Sequence, residues 1–231
     1  MKTLKLTVLC CLLSAFTFAN VSQDEKEALL ALYNSTNGAS WTNSWDINEP
    51  VSNWFGVTLE QDKVVAIELM FNNLEGEIPD EISQLKSLKV LNLSFNKLQG
   101  QFPLALTELT ALEELKLFSN RLIGTIPATI GSLVNLRSLE LYNNNITGEI
   151  PEAIGNLSQL EVLILSSNQL MGKLPKTLSN LKSLKVLSLF DNRLLGTIPS
   201  CIGELVQLKE LVLSNNAFYG SLPDELAQLS N

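Results

Sequence analysis

Residues 112–133 read LEELKLFSNRLIGTIPATIGSL, and the same frame recurs every 24 residues without insertion or deletion. The register is set by asparagines at Asn72, Asn96, Asn120, Asn144, Asn168, Asn192 and Asn216, so seven copies are present. Around each Asn the pattern is LxxLxLxxNxLxGxIPxxIxxL, with conservative apolar exchanges at a few places. A strict period of this length predicts a solenoid, in which each turn buries its apolar edge against the next.

Each column of the frame has a physical task. Leu112, Leu115 and Leu117 are expected to point inward from a short strand. Seven such strands stacked in parallel make a concave strip roughly 30 Å long, at roughly 4.8 Å per turn. The Asn that follows enters a turn whose backbone groups lack strand partners. Its amide both donates and accepts, so a stacked Asn ladder is expected to satisfy them. Gly124 and its equivalents fall where the chain bends and φ > 0 favours a residue without Cβ. Seven of the eight prolines follow three residues after these glycines and start an irregular convex segment.

The period together with the GxIP element resembles the plant-type leucine-rich repeat, found in receptor-kinase ectodomains, polygalacturonase-inhibiting proteins and secreted or surface proteins of some bacteria. The resemblance covers residues 24–231. It implies an α/β solenoid: a right-handed superhelix with parallel β-strands on the concave face, an irregular or 3-10 convex face, and a helix-plus-hairpin N-terminal cap. The family's frame residues are structural, and recognition lies in the variable positions.

Three regions are expected: a signal peptide over 1–19, a cap over 20–63 and seven repeats over 64–231. Lys2 and Lys5 precede an apolar run from Leu6 to Phe18, and Thr17 and Ala19 are small residues before a cut after Ala19. Secretion or display at the cell surface follows. Loss of that segment takes Cys10 and Cys11 with it and leaves Cys201 as the one cysteine, read as a small residue on the convex side. It also moves the formal charge from −8 to −10, which argues against nucleic acid or anionic lipid as partner.

In the cap, Ser22 and Glu25 form a capping-box signal for a helix through Lys26 to about Tyr33, ended by Asn37-Gly38. Leu29, Leu32 and Tyr33 are expected to face inward. Trp54-Phe55-Gly56-Val57 resembles the WxGV element of plant-type caps. The plant version places a cysteine two residues before that Trp and another five after it; Ser52 and Leu59 stand there instead, which points to the bacterial branch of the family. Val57–Leu59 and Val64–Leu69 are expected to form a hairpin leading into the first repeat. Trp41, Trp45 and Trp54 are read as cap packing, with carbohydrate stacking as the alternative.

Catalysis has little foothold. The chain has no His, which removes Ser-His and Cys-His pairs and the commonest metal ligand. Neighbouring carboxylates such as Glu113 and Glu114 read as solvated strand flanks. No cofactor, no metal site and no membrane span are expected.

The concave columns carry the candidate site. Between the second and third frame leucines stand Glu68, Asn92, Lys116, Glu140, Ile164, Ser188 and Val212; the next exposed column reads Met70, Ser94, Phe118, Tyr142, Ser166, Phe190 and Ser214. Before each frame Asn stand Phe71, Phe95, Ser119, Asn143, Ser167, Asp191 and Asn215. Met70, Phe71, Phe95, Phe118 and Tyr142 are therefore expected to be exposed side by side, rimmed by Glu68, Asn92, Lys116 and Glu140, with Phe118 and Tyr142 removable at little cost in stability. The expected function is a non-enzymatic extracellular module binding a protein, peptide or glycan there. The alternatives are a receptor ectodomain fragment whose membrane span and output domain follow residue 231, or an adhesive envelope scaffold. Asn231 falls one residue before an eighth copy, so a further repeat or a partner is expected to cover Leu208, Leu211, Leu213, Phe218, Leu222 and Leu226.

Overall fold

The computed structural model describes residues 21–229, so the expected signal peptide and its cleavage site lie outside the described residues. The chain opens with a helix, α1 (Gln23–Ser35), whose start follows the capping box: the Ser22 hydroxyl accepts from the Glu25 amide and donates to the Glu25 carboxylate at 3.0 Å. Asn37 stops it in a left-handed conformation at φ 59°. Leu29 and Leu32 are buried and Tyr33 is half-buried, as their spacing requires.

The hairpin follows as β1 (Val57–Glu60) and β2 (Lys63–Glu68), antiparallel across Gln61-Asp62, both at positive φ. From β2 the sheet continues in parallel through Val90–Asn92, Glu114–Lys116, Ser138–Glu140, Val162–Ile164, Val186–Ser188 and Glu210–Val212. Pairing stays in 24-residue register, Leu91 opposite Leu115 opposite Leu139. After each frame Pro from Pro79 to Pro199, a five-residue 3-10 segment covers the convex side. Between Asn and Pro the chain also pairs laterally, most extensively in a four-stranded sheet over Thr147–Gly148, Gln169–Gly172, Arg193–Gly196 and Ala217–Phe218. Extended backbone on successive turns lies close enough to exchange hydrogen bonds there too. Among the described residues no helix is long and apolar enough to cross a membrane.

Asparagine side chains tie the turns together. Asn144 donates to the carbonyl of Leu117, 27 residues earlier, and of its own Leu141, both at 3.0 Å, while its oxygen accepts from the Leu122 amide, 22 residues earlier, at 3.0 Å. The other frame Asn from Asn96 to Asn216 repeat this scheme. Asn72, with no earlier repeat behind it, instead accepts from the backbone amide of Asn43 in the cap at 2.7 Å. Asn72, Asn120 and Asn144 are buried; Asn96, Asn168, Asn192 and Asn216 are half-buried.

The cap encloses its tryptophans. Trp41, Trp45 and Trp54 are all buried, stack or meet edge-on in series, and donate to backbone carbonyls. Their ring faces form core, which removes the carbohydrate-stacking alternative. Gly76 is held to glycine by more than its φ of 136°, since a Cβ there would lie 2.0 Å from the Ser35 carbonyl oxygen at the end of α1. In the last described turn Leu208 is buried rather than open, Leu211, Leu213, Phe218 and Leu226 are half-buried, and Leu222 is exposed.

Replacing Asn144 with Ala strands the buried Leu122 amide and leaves the Leu117 carbonyl with Asn120 as its donor. A loss of about 1–3 kcal/mol is expected in chemical denaturation. Asn145→Ala, exposed and one residue further on, is the control and should shift stability by less than about 0.5 kcal/mol.

Candidate functional site

The strands put the charged column in one row. Glu68 pairs with Asn92, Asn92 with Lys116, and Lys116 with Glu140 across successive backbones. The Lys116 ammonium lies 2.7 Å from Glu114 and 3.9 Å from Glu140. Burial pulls the Lys116 pKa down, but the hydrogen bond and charge of Glu114, with Glu140 and Glu68 behind them, outweigh it and hold the group above its ordinary value. Lys116 is therefore a fixed charge, already partnered. Glu68 is exposed and, among the described residues, enters no ion pair. Asn92 is half-buried, its carbonyl oxygen accepting from the Ser94 hydroxyl and amide. Glu113, flanking the strand, lies 3.7 Å from Arg137 and Glu114 is taken up by Lys116, so the two carboxylates are separately engaged.

Beside this row runs a continuous aromatic ladder. Phe71 stacks on Phe95 with centroids 4.1 Å apart and planes at 11°. Phe95 meets Phe118 edge-on at 5.2 Å, and Phe118 stacks on Tyr142 at 4.2 Å. Met70 is exposed, as are Phe71 and Phe95, at 60% and 39%. Phe118 is not exposed as expected: at 8% accessible it is buried between Phe95 and Tyr142. The ladder changes column here, since Ser94 is small and Phe95, one residue on, closes over the gap. Tyr142 is half-buried; burial first, and the nearby Glu140 charge second, push its phenol above the ordinary value of 10.0, so it stays a neutral hydrogen-bonding group.

Phe71 and Phe95 carry a signal that the spacing alone does not show. The residue before each frame Asn is left-handed in all seven repeats, with φ from 51° to 56°. Five repeats place Ser, Asn or Asp there, small polar residues that suit a tight turn. Two place Phe, a residue for which positive φ is an outlier. The aromatic pair is therefore kept against a local conformational penalty, and the contrast within the column could have singled it out.

A second apolar feature was not anticipated. On the flank that carries the lateral sheet, Ile123, Met171, Leu195 and Tyr219 are exposed in one column, with Thr147 between the first two. Met171 and Leu195 line a depression of about 530 Å³ together with Glu149 and Lys173. Another, of about 710 Å³, lies at the hairpin among Glu60, Lys63, Lys86 and Lys89. Neither depression is lined by the aromatic ladder. Among the described residues no group of three or more His, Cys, Asp or Glu is placed to hold a metal ion.

Two family profiles match, one described as leucine rich repeat over residues 62–122 and one as leucine-rich repeat region over 124–231. Among solved structures, PEPR1–AtPEP1 is 34% identical over 91% of this chain, with a TM-score of 0.84. The plant peptide hormone receptor RGFR1 in complex with RGF2 is 32% identical over 70% of this chain, with a TM-score of 0.63. A plant ice-binding protein is 28% identical over 91% of this chain and 84% of its own, with a TM-score of 0.62. The chain spans 30% of the length of the PEPR1 and of the RGFR1 chain.

Phe71 and Phe118 should respond oppositely to truncation. In Phe71→Asn the gain from relieving a left-handed Phe, about 1 kcal/mol, offsets a lost ring pair of about 0.5–1.5 kcal/mol, so stability should stay within about 1 kcal/mol of the parent. Phe118→Ala empties a buried position and should cost roughly 3–5 kcal/mol. Denaturant titration of the two variants reads both values.

Proposed function

This chain belongs to the leucine-rich repeat family, and from that we propose that it is a non-enzymatic recognition module that binds a peptide or protein segment on the concave face of its first four repeats. The aromatic ladder carries this reading. Three rings and a half-buried phenol in unbroken contact, two of them exposed and held in a disfavoured backbone conformation, suit a binding hot spot better than a core. The site comprises Glu68, Met70, Phe71, Asn92, Phe95, Lys116, Glu140 and Tyr142, with Phe118 as the buried ring that sets the spacing of its neighbours.

Two similarities support the partner class: a plant peptide hormone receptor solved in complex with RGF2, and the structure of PEPR1–AtPEP1. We place the module outside the cell or on its surface, from the apolar segment Leu6–Phe18 and the receptor likeness together. The likeness to an ice-binding protein carries less weight. Recognition of a periodic solid calls for one side chain repeated along a face, whereas the concave column runs Glu68, Asn92, Lys116, Glu140, Ile164, Ser188, Val212.

Panning the protein against a random display library of linear peptides tests the reading. Phe71→Asn combined with Phe95→Ser should weaken binding of the selected peptides by about 2 kcal/mol or more, measured by calorimetry. Asp191→Asn combined with Ser214→Ala, on the concave face of later turns, should leave it within about 0.5 kcal/mol. Equal losses from both pairs would remove the case for the aromatic site.

A further inference from the structure

The concave surface of the first four repeats is unbalanced in charge. Glu68, Glu114 and Glu140 face one ammonium, Lys116, which Glu114 and Glu140 already occupy. Glu68 is left exposed, three residues before Phe71 on the same turn. Phe71 has one ring face on Phe95 and remains 60% exposed. An open aromatic face with an unpaired carboxylate close by along the chain fits one side-chain chemistry best. A guanidinium is flat enough to lie on a ring, gives up its hydration more readily than an ammonium, and offers a fork that matches a carboxylate. The chain's formal charge of −8 favours approach of such a partner as well.

We propose that the partner is an extended peptide segment carrying an arginine, whose guanidinium stacks on Phe71 and pairs with Glu68, while neighbouring residues run along Phe95 toward Tyr142. Three inter-strand steps separate the turn of Phe71 from that of Tyr142, roughly 14 Å, which about four residues of extended chain span. At the middle of the strip Glu114 and Glu140 are already engaged by Lys116, so the preference is for one basic residue at the Phe71 end, beside the unpaired Glu68, rather than a basic run. This inference rests on the concave-face reading above and adds to it the chemistry of the ligand.

The test sequences the peptides selected from the linear display library and then measures synthetic copies on the parent protein, Glu68→Gln and Phe71→Asn. Arginine should be enriched in the selected pool. Changing that arginine to alanine should weaken binding about tenfold or more, in line with loss of a charge-assisted hydrogen bond, and changing it to lysine should also weaken it. Glu68→Gln should weaken the arginine peptide by a similar factor and leave its alanine counterpart unchanged, so that the two losses do not add. Peptides that lose binding with Phe95→Ser but show no arginine enrichment and no response to Glu68→Gln would overturn the arginine assignment and leave the concave site standing. Peptides indifferent to Phe71→Asn and Phe95→Ser together would overturn the site itself. A library that yields no binder contradicts the peptide assignment.

Discussion

One asparagine amide per turn holds the solenoid in register. Each bonds backward, donating to a carbonyl 27 residues earlier and receiving an amide hydrogen from 22 residues earlier, as Asn120 does with Leu93 and Leu98. Leucine stacking alone is non-directional and would tolerate sliding between turns. The amide is not, because its donor and acceptor must both find partners in a place that water reaches poorly. A ladder that always bonds to the preceding turn needs something at its beginning. The cap supplies it through Asn43, whose backbone amide meets Asn72, and the packed tryptophans and α1 hold that loop in place.

With the inner frame occupied in this way, the side chains of the concave strands are released from structural duty. The turn before each Asn must pass through left-handed backbone, and most repeats meet this with Ser, Asn or Asp. Phe71 and Phe95 accept the penalty instead, and in doing so extend the row of Phe118 and Tyr142 to the N-terminal end of the strip. A conformational cost confined to two of seven equivalent positions is what function-bearing strain looks like.

Most of the architecture was legible because it repeats. The Asn, Gly and Pro columns, the strand register and the concave columns follow from a fixed period, and the Ser22–Glu25 capping box from local chemistry. What escaped sequence reading depends on neighbours that the period does not relate. Phe118 is buried because Phe95, from a different column of the previous turn, leans over the space beside Ser94. The Asn43–Asn72 contact joins a unique loop to the first repeat. The lateral pairing, and the exposed apolar column of Ile123, Met171 and Leu195 on that flank, depend on contacts between segments of two to four residues, too short to carry a strand pattern of their own.

Two exposed apolar surfaces therefore compete for the role of recognition face, the concave aromatic ladder and the lateral column. NMR mapping of methyl and aromatic resonances on titration with a library-selected peptide separates them directly. Recognition through the ladder predicts shifts centred on Met70, Phe71, Phe95, Phe118 and Tyr142, with Ile123, Met171 and Leu195 unmoved. Shifts centred on Ile123, Met171 and Leu195, with the aromatic ladder silent, would contradict it.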